Sequence, residues 1–261
     1  MCNPPITVIT VCYNAFATIE RTILSVVNQT YQNIEYIVID GASTDGTIDI
    51  INKYRDRITY FLTEPDKGIY DAMNKGIKLA TGDWINFMNS GDVFYNNSTI
   101  EKVFNAGVYP EKIKVLYGDV VIKAGAQNEY VKHINVSEES EVPFNINHQS
   151  CFTRRDILIA IGFDTTYKIA ADANLFFEIY RRGHSFSHIP IVISVYDNED
   201  GVSSTNPMTS FWEYARIRNI SILDLKFYYV FFRAVIFLVI GMLPNCLSKG
   251  ILRFYFRTRV K

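Results

Sequence analysis

Residues 6–14 read ITVITVCYN, a continuous apolar, β-branched run that stops in two polar side chains. A strand without alternation fits burial on both faces, as in a parallel sheet, better than a strand with one face in water. The next segment, TIERTILSVVNQ (18–29), carries Ile19, Ile23, Val26 and Val27 at helical spacing. Working outward, IEYIVIDG (34–41) reads as strand, TIDIINKY (47–54) as helix, TYFLTE (59–64) as strand, IYDAMNKGIKLA (69–80) as helix and WINFMN (84–89) as strand. This rhythm predicts an α/β fold, a doubly wound, mostly parallel sheet with helices on both faces.

The composition is that of a globular chain: 261 residues, 48% hydrophobic and 20% charged, which exclude disorder and allow one large domain or two small ones. The net charge of -1 hides an asymmetry, because residues 226–261 hold seven Lys or Arg and no acid. The other 225 residues carry 19 basic and 27 acidic groups, so the basic end should have its own partner. Cys2, Cys12, Cys151 and Cys246 have no metal-ligand spacing, and MCNPPITVIT lacks the charged and apolar regions of a signal peptide. A reducing cytoplasm is the expected compartment, and nucleic acid is not an expected partner.

In a doubly wound sheet, ligands bind at the carboxyl ends of the strands. Those ends carry Tyr13 and Asn14, then Asp40, then Glu64 and Asp66, then Asn89 to Asp92. A rim of carboxylates suits a base or ribose and a divalent cation, whereas naked phosphate would want a Gly-rich loop with Lys. Neither a dinucleotide fingerprint nor a P-loop follows the first strand.

Three blocks, TVITVCYNAFATIERTILSVVNQTYQNIEYIVIDGASTDGT, EPDKGIYDAMNKGIKLATGDWINFMNSGD and FTRRDILIAIGFDTTYKIAADANLFFEIYRRG, occur in this order. Together they resemble the family 2 glycosyltransferases of the glycosyltransferase A fold, over about residues 5–205, and within them the bacterial branch that builds O-antigen, capsule or exopolysaccharide. The resemblance implies an inverting transfer of a sugar from a nucleotide-diphosphate donor, a UDP-sugar by preference, to a saccharide acceptor expected to be lipid-linked. It assigns residues 1–95 to nucleotide-sugar binding and 96–225 to the acceptor, within one catalytic domain. On this pattern Asp40 meets the nucleotide base; a turn acid before GASTDG is the alternative. Asp45 looks more like a helix-capping residue, with Thr44 and Thr47 as rivals.

The family's metal motif, an acid, any residue and an acid, falls on NSGD (89–92), where Asn89 and Gly91 replace acids and Asp92 remains. One carboxylate suffices for Mg²⁺ or Mn²⁺ when diphosphate oxygens and water complete the octahedron. Asp92 is therefore the expected metal ligand, Asn89 a neutral one, and a solvated turn acid the alternative. Direct displacement at the anomeric carbon needs a general base, and the resemblance gives that role to Asp172, which otherwise reads as a helix N-cap. Tyr13, Asn14 and Asp71 are further donor-binding candidates, Asp71 reading otherwise as a first-turn acid. Asp66, Lys75, His148 and Gln149 form a weaker set, His148 and Gln149 being a pair that the family branch also carries. Two other functions fit parts of this pattern: a nucleotidyltransferase, which would want a Gly-rich basic loop after the first strand, and a catalytically silent nucleotide-sugar-binding module.

The tail adds a membrane expectation. FYYVFFRAVIFLVIGML (227–243) is 17 residues long with Arg233 inside, whereas a span wants about 20 apolar residues and a central Arg costs about 2.5–3.5 kcal/mol. Partial insertion or docking is expected rather than a span, with a core helix against the catalytic domain as the alternative. Beyond Pro244, Lys249, Arg253, Arg257 and Lys261 recur every four residues, a cationic stripe suited to an anionic leaflet. Residues 226–261 thus read as membrane-associating helices of a protein peripheral or monotopic on the cytoplasmic face of the bacterial inner membrane.

Overall fold

The computed structural model describes residues 3–105, 107–123, 129–132, 146–197 and 206–220. The chain divides into two compact units, Met1–Glu199 and Asp200–Lys261. The first contains strands β1 (Ile6–Cys12), β2 (Ile34–Asp40), β3 (Tyr60–Thr63), β4 (Trp84–Phe87), β5 (Val93–Phe94), β6 (Ile113–Lys123), β7 (Glu129–Lys132), β8 (Cys151–Arg154) and β9 (Ser185–Asp197). Its helices are α1 (Ile19–Val27), α2 (Thr47–Lys53), α3 (Ile69–Leu79), α4 (Thr99–Phe104), α5 (Arg155–Ile161) and α6 (Ala171–Arg181). In the second unit the described residues include helix α7 (Pro207–Ile217).

The strands form one sheet in the order β3-β2-β1-β4-β8-β6-β9-β5, with β7 paired to β6. β3, β2, β1 and β4 are parallel, in the register Ile6↔Ile34 and Ile6↔Trp84 across β1. Beyond β4 the expectation of a mostly parallel sheet fails: β8 runs antiparallel to β4 and β6, and β5 antiparallel to β9, while β6 and β9 are parallel. The reason is the connection. Helical crossovers return the chain for parallel pairing among β1 to β4, whereas β7 pairs antiparallel with β6, and β8 enters between β4 and β6 in the opposite direction.

Every residue of β1 is buried, which explains its unbroken apolar run. Ile6, Val8 and Cys12 face one side and join Ile19, Ile23 and Val26 of α1, Ile50 and Ile51 of α2, and Ile100, Val103 and Phe104 of α4 in one cluster. Ile9 faces the other side, against α3: a Cβ on Gly76 would stand 2.6 Å from Ile9 Cγ2, so only a glycine lets helix and strand pack this closely. Each fully buried Ile or Val contributes about 1.5–3 kcal/mol of transfer free energy, and this double-sided core fixes where the strand ends point. Among the described residues no helix is long and apolar enough to cross a membrane. The expected membrane-associating stretch 226–261 lies outside the described residues.

Candidate active site

The loops after β1 and β2 are tied together. Asn14, at φ 46, accepts from Thr44 N at Oδ1 (3.0 Å), and its own N–H donates to Ser43 Oγ (2.8 Å). Ala15 N donates to Thr47 Oγ1 and Phe16 N to Asp45 Oδ2, at 2.8 and 2.9 Å. Asp45 also accepts from Thr47 N at the start of α2, so it does hold the helix entrance. The Thr47 hydroxyl, which donates to it, holds its carboxyl below the ordinary value.

Asp40 is wholly buried, and both its oxygens are engaged inside the protein. Oδ1 accepts from the Ser43 hydroxyl, and Oδ2 from Ser43 N (2.9 Å) and Thr63 Oγ1 (2.7 Å); Cys12 Sγ lies 3.6 Å from Oδ1. Burial first, and the charge of Asp40 next, push the Cys12 thiol far above its ordinary value, so it is no nucleophile. Beside this closed cluster, Asp66 Oδ1 accepts from Gly68 N, while Oδ2 overlies Gly41: a Cβ there would stand 2.5 Å from Asp66 Oδ2 and 3.3 Å from Tyr13 Cδ2. Tyr13 is 65% exposed. The glycine thus lets an Asp66 carboxylate oxygen and the Tyr13 ring pack closely over the loop after β2.

Asp71 and Lys75 are occupied with the start of α3. Asp71 Oδ2 accepts from Lys67 N (3.0 Å), and Lys75 Nζ meets Glu64 Oε1 (2.8 Å) and Pro65 O (2.9 Å). The Glu64 bond raises the Lys75 pKa, so the ammonium is a permanent brace of the β3–α3 loop.

On the far side of β4 the expected residues converge. His148 and Gln149 lie in a short 3₁₀ turn, His148–Ser150, just before β8. Asn89 Nδ2 lies 3.0 Å from His148 Nε2, and His148 Nδ1 lies 3.1 Å from Asp172 Oδ2, which makes one polar line from the end of β4 to the first turn of α6. Asp172 is 21% exposed at its side chain, and its Oδ1 accepts from Ala173 N. Burial alone would pull the His148 pKa down, but the hydrogen bond to Asp172 and the charges of Asp172 and Asp92 outweigh it, and the value rises above the ordinary 6.5. With Nδ1–H donating to Asp172, Nε2 accepts from the Asn89 amide, and Asn89 Oδ1 is left buried without a hydrogen-bond partner. Gln149 is buried, and its Oε1 likewise has no hydrogen-bond partner.

Several supporting residues carry no sequence motif. Asn86 of β4, wholly buried, donates to Gln149 O (3.1 Å) and Cys151 O (2.8 Å) and so seats the turn that bears His148. Asn74 of α3 bonds Phe163 in both directions at 2.8 Å, and Tyr70 Oη donates to Ile169 O, holding the approach to α6 and hence Asp172. An Asn inside the apolar run WINFMN was the available signal for Asn86.

Among the described residues no cluster of three His, Cys, Asp or Glu stands ready for a metal ion. The donor set still suits a hard cation that keeps water and substrate oxygens: the orphaned Asn89 Oδ1 lies in the turn that ends at buried Asp92, closed by Asp92 N donating to Asn89 O at 2.9 Å.

A parallel half-sheet with acids on its carboxyl rim, continued by antiparallel strands, puts these residues where open α/β sheets bind ligands. The chain belongs to glycosyl transferase family 2, whose model matches residues 7–176. It is 28% identical over 212 residues to a PGL/p-HBAD biosynthesis glycosyltransferase of Mycobacterium bovis, covering 78% of this chain and 81% of that one. An uncharacterized glycosyltransferase of Haemophilus influenzae is 44% identical over 105 residues, 39% of this chain and 42% of that one. Among solved structures, S. aureus TarS 1-349 aligns with TM-score 0.65 at 18% identity, over 87% of this chain and 68% of that one. The mannosyltransferase PcManGT from Pyrobaculum calidifontis, in complex with GDP-Man and Mn²⁺, aligns with TM-score 0.65 at 16% identity, over 99% and 81%. Family membership removes the nucleotidyltransferase alternative.

Proposed function

We propose that this glycosyltransferase carries out an inverting transfer from a nucleoside-diphosphate sugar, a UDP-sugar by preference, to a saccharide acceptor on a lipid carrier, in bacterial surface polysaccharide synthesis of the O-antigen or capsule kind. The observation that carries it is the Asn89–His148–Asp172 line beside Asp92. Asp172 takes the proton of the attacking hydroxyl, while the Nδ1–H of His148 fixes the orientation of that carboxylate. Asp92 and the free Asn89 Oδ1 would hold Mg²⁺ or Mn²⁺, which when bound supplies Lewis-acid stabilisation of the departing nucleoside diphosphate. Residues 1–95 hold the donor and 96–225 the acceptor. Tyr13, Asn14 and Asp66 border the base, and Asp66 Oδ2 rather than the closed Asp40 carboxylate is the acceptor facing an imide N–H. The family neighbours support a nucleotide-sugar donor: TarS structures carry UDP and UDP-GlcNAc, and PcManGT carries GDP-Man.

Residues 226–261 dock this domain on the cytoplasmic face of the inner membrane, where a lipid-linked acceptor resides; the support is the sequence's cationic stripe and apolar run. Transfer assays with a panel of nucleotide sugars and a lipid-linked acceptor, with and without EDTA, test the reading. Transfer from no donor, with donor binding intact, would instead favour a silent nucleotide-sugar-binding module. For the tail, a full-length protein that stays in the supernatant at low salt without detergent would remove the membrane assignment.

A further inference from the structure

Asp92 is braced from an element that contributes nothing else to the site. The polar face of α1 runs along residues 90–94: Thr18 Oγ1 lies 2.9 Å from Ser90 Oγ, Arg21 Nη2 donates to Gly91 O at 2.8 Å, and Phe94 N donates to Ser25 Oγ at 3.3 Å. At the centre is Thr22, wholly buried. Its hydroxyl donates to Asp92 O at 2.8 Å and accepts from Gly91 N at 3.0 Å. One oxygen therefore satisfies the backbone on both sides of the Gly91–Asp92 peptide, at the point where Gly91 turns through φ 102.

Packing does not demand a hydroxyl here, because valine has the same shape and would fill the same space on the helix. The two hydrogen bonds do demand it, since loss of the oxygen takes a bond from the part-buried Gly91 N–H and from the buried Asp92 carbonyl. We propose that Thr22 is a positioning residue for Asp92: it sets the peptide that aims this carboxylate, which with Asn89 would hold the divalent cation. The proposal rests on the reading of Asp92 as the cation-holding carboxylate. Mg²⁺ and Mn²⁺ sites tolerate little displacement of a ligand, and with neutral Asn89 as the other protein donor the burden falls on one loop. Residues that orient ligands typically change metal affinity or activity about 10–100-fold when removed.

The experiment is Mn²⁺ retention in the presence of UDP, followed by the electron paramagnetic resonance signal of free Mn²⁺, for wild type, Thr22→Val, Thr22→Ser and Ser25→Ala. Thr22→Val is expected to weaken retention about 10–100-fold. Thr22→Ser, which keeps the oxygen, and Ser25→Ala, which loses bonds to Thr22 O and Phe94 N but none to Gly91 or Asp92, are expected to bind as wild type. Urea unfolding in EDTA accompanies each variant, since a purely structural role would lower the midpoint without moving Mn²⁺ affinity. If Thr22→Val does not fold, Thr22→Ala read against Ser25→Ala takes its place. Wild-type retention matched by the hydroxyl-less variant would overturn the role of Thr22 alone. Wild type that retains no Mn²⁺ would remove the metal reading of Asp92 and this proposal with it.

Discussion

Two acidic rims stand at the carboxyl ends of one sheet and use their carboxylates in opposite ways. At the end of β2, Asp40 has spent both oxygens on Ser43 and Thr63 and is sealed from solvent, and neighbouring Asp45 closes the loop above it. At the end of β4, the polar groups leave a remainder: Asn89 Oδ1 has no hydrogen-bond partner, and Asp172, bonded to His148 and to Ala173 N, keeps 21% of its side chain exposed. An acid at a strand end is thus not a ligand site by position alone. What distinguishes the second rim is unsatisfied hydrogen-bonding capacity, which a protein tolerates where substrate will supply the rest.

Four substitutions sharpen this contrast. The largest effect belongs to Asp92→Ala, which should reduce metal-stimulated transfer to background. A variant still stimulated by Mn²⁺ would return Asp92 to the sealed kind. Next, Asp172→Asn keeps size and one hydrogen bond but cannot take a proton; turnover should fall by roughly 10²–10⁴, with UDP affinity by calorimetry unchanged. Turnover within a few-fold of wild type would move the base elsewhere.

Asp40→Ala should act on the other ledger. Removing a carboxylate that serves Ser43 and Thr63 should cost about 2–4 kcal/mol of stability, read from chemical unfolding, since buried donors lose their acceptor. Mutant stability equal to wild type would show that the β2 rim is not structural. The smallest effect is expected at His148→Gln, measured in EDTA. Because the folded pKa of His148 is raised, its interaction with Asp172 stabilises the fold fully below about pH 6.5 and is lost as pH rises through the folded value. The stability gap between wild type and His148→Gln should therefore be widest near pH 6 and narrow toward pH 9. A gap that widens with pH would contradict the pairing.

The first half of the fold was legible because its signals are local. From β1 to β4, predicted and observed elements agree within about two residues, as expected where β-branched strands are buried on both sides and helices carry a clean apolar stripe. Past residue 95 the pairings are long-range and partly antiparallel, β6 and β9 contain register shifts, and no local pattern encodes which strand lies beside which. At the site, the family resemblance named Asn89, Asp92, His148 and Asp172. It missed Asn86, Asn74 and Thr22, which bind backbone rather than ligand. Asp40, Asp71 and Lys75 were visible as charges, but that their hydrogen bonds turn inward is a property of geometry that composition does not carry.

The parallel pairing of β6 with β9 joins residue 113 to residue 185 and has a consequence for how the chain reaches its native state. Nearly all of β6 is buried, yet one of its neighbours emerges only after α5 and α6 have been made. Distant pairings of this kind close slowly, and until β9 arrives the β6 edge is exposed as a template for other chains. Soluble yield should therefore be governed by the lifetime of that half-closed sheet, and slow synthesis at low temperature should favour the native protein over aggregates.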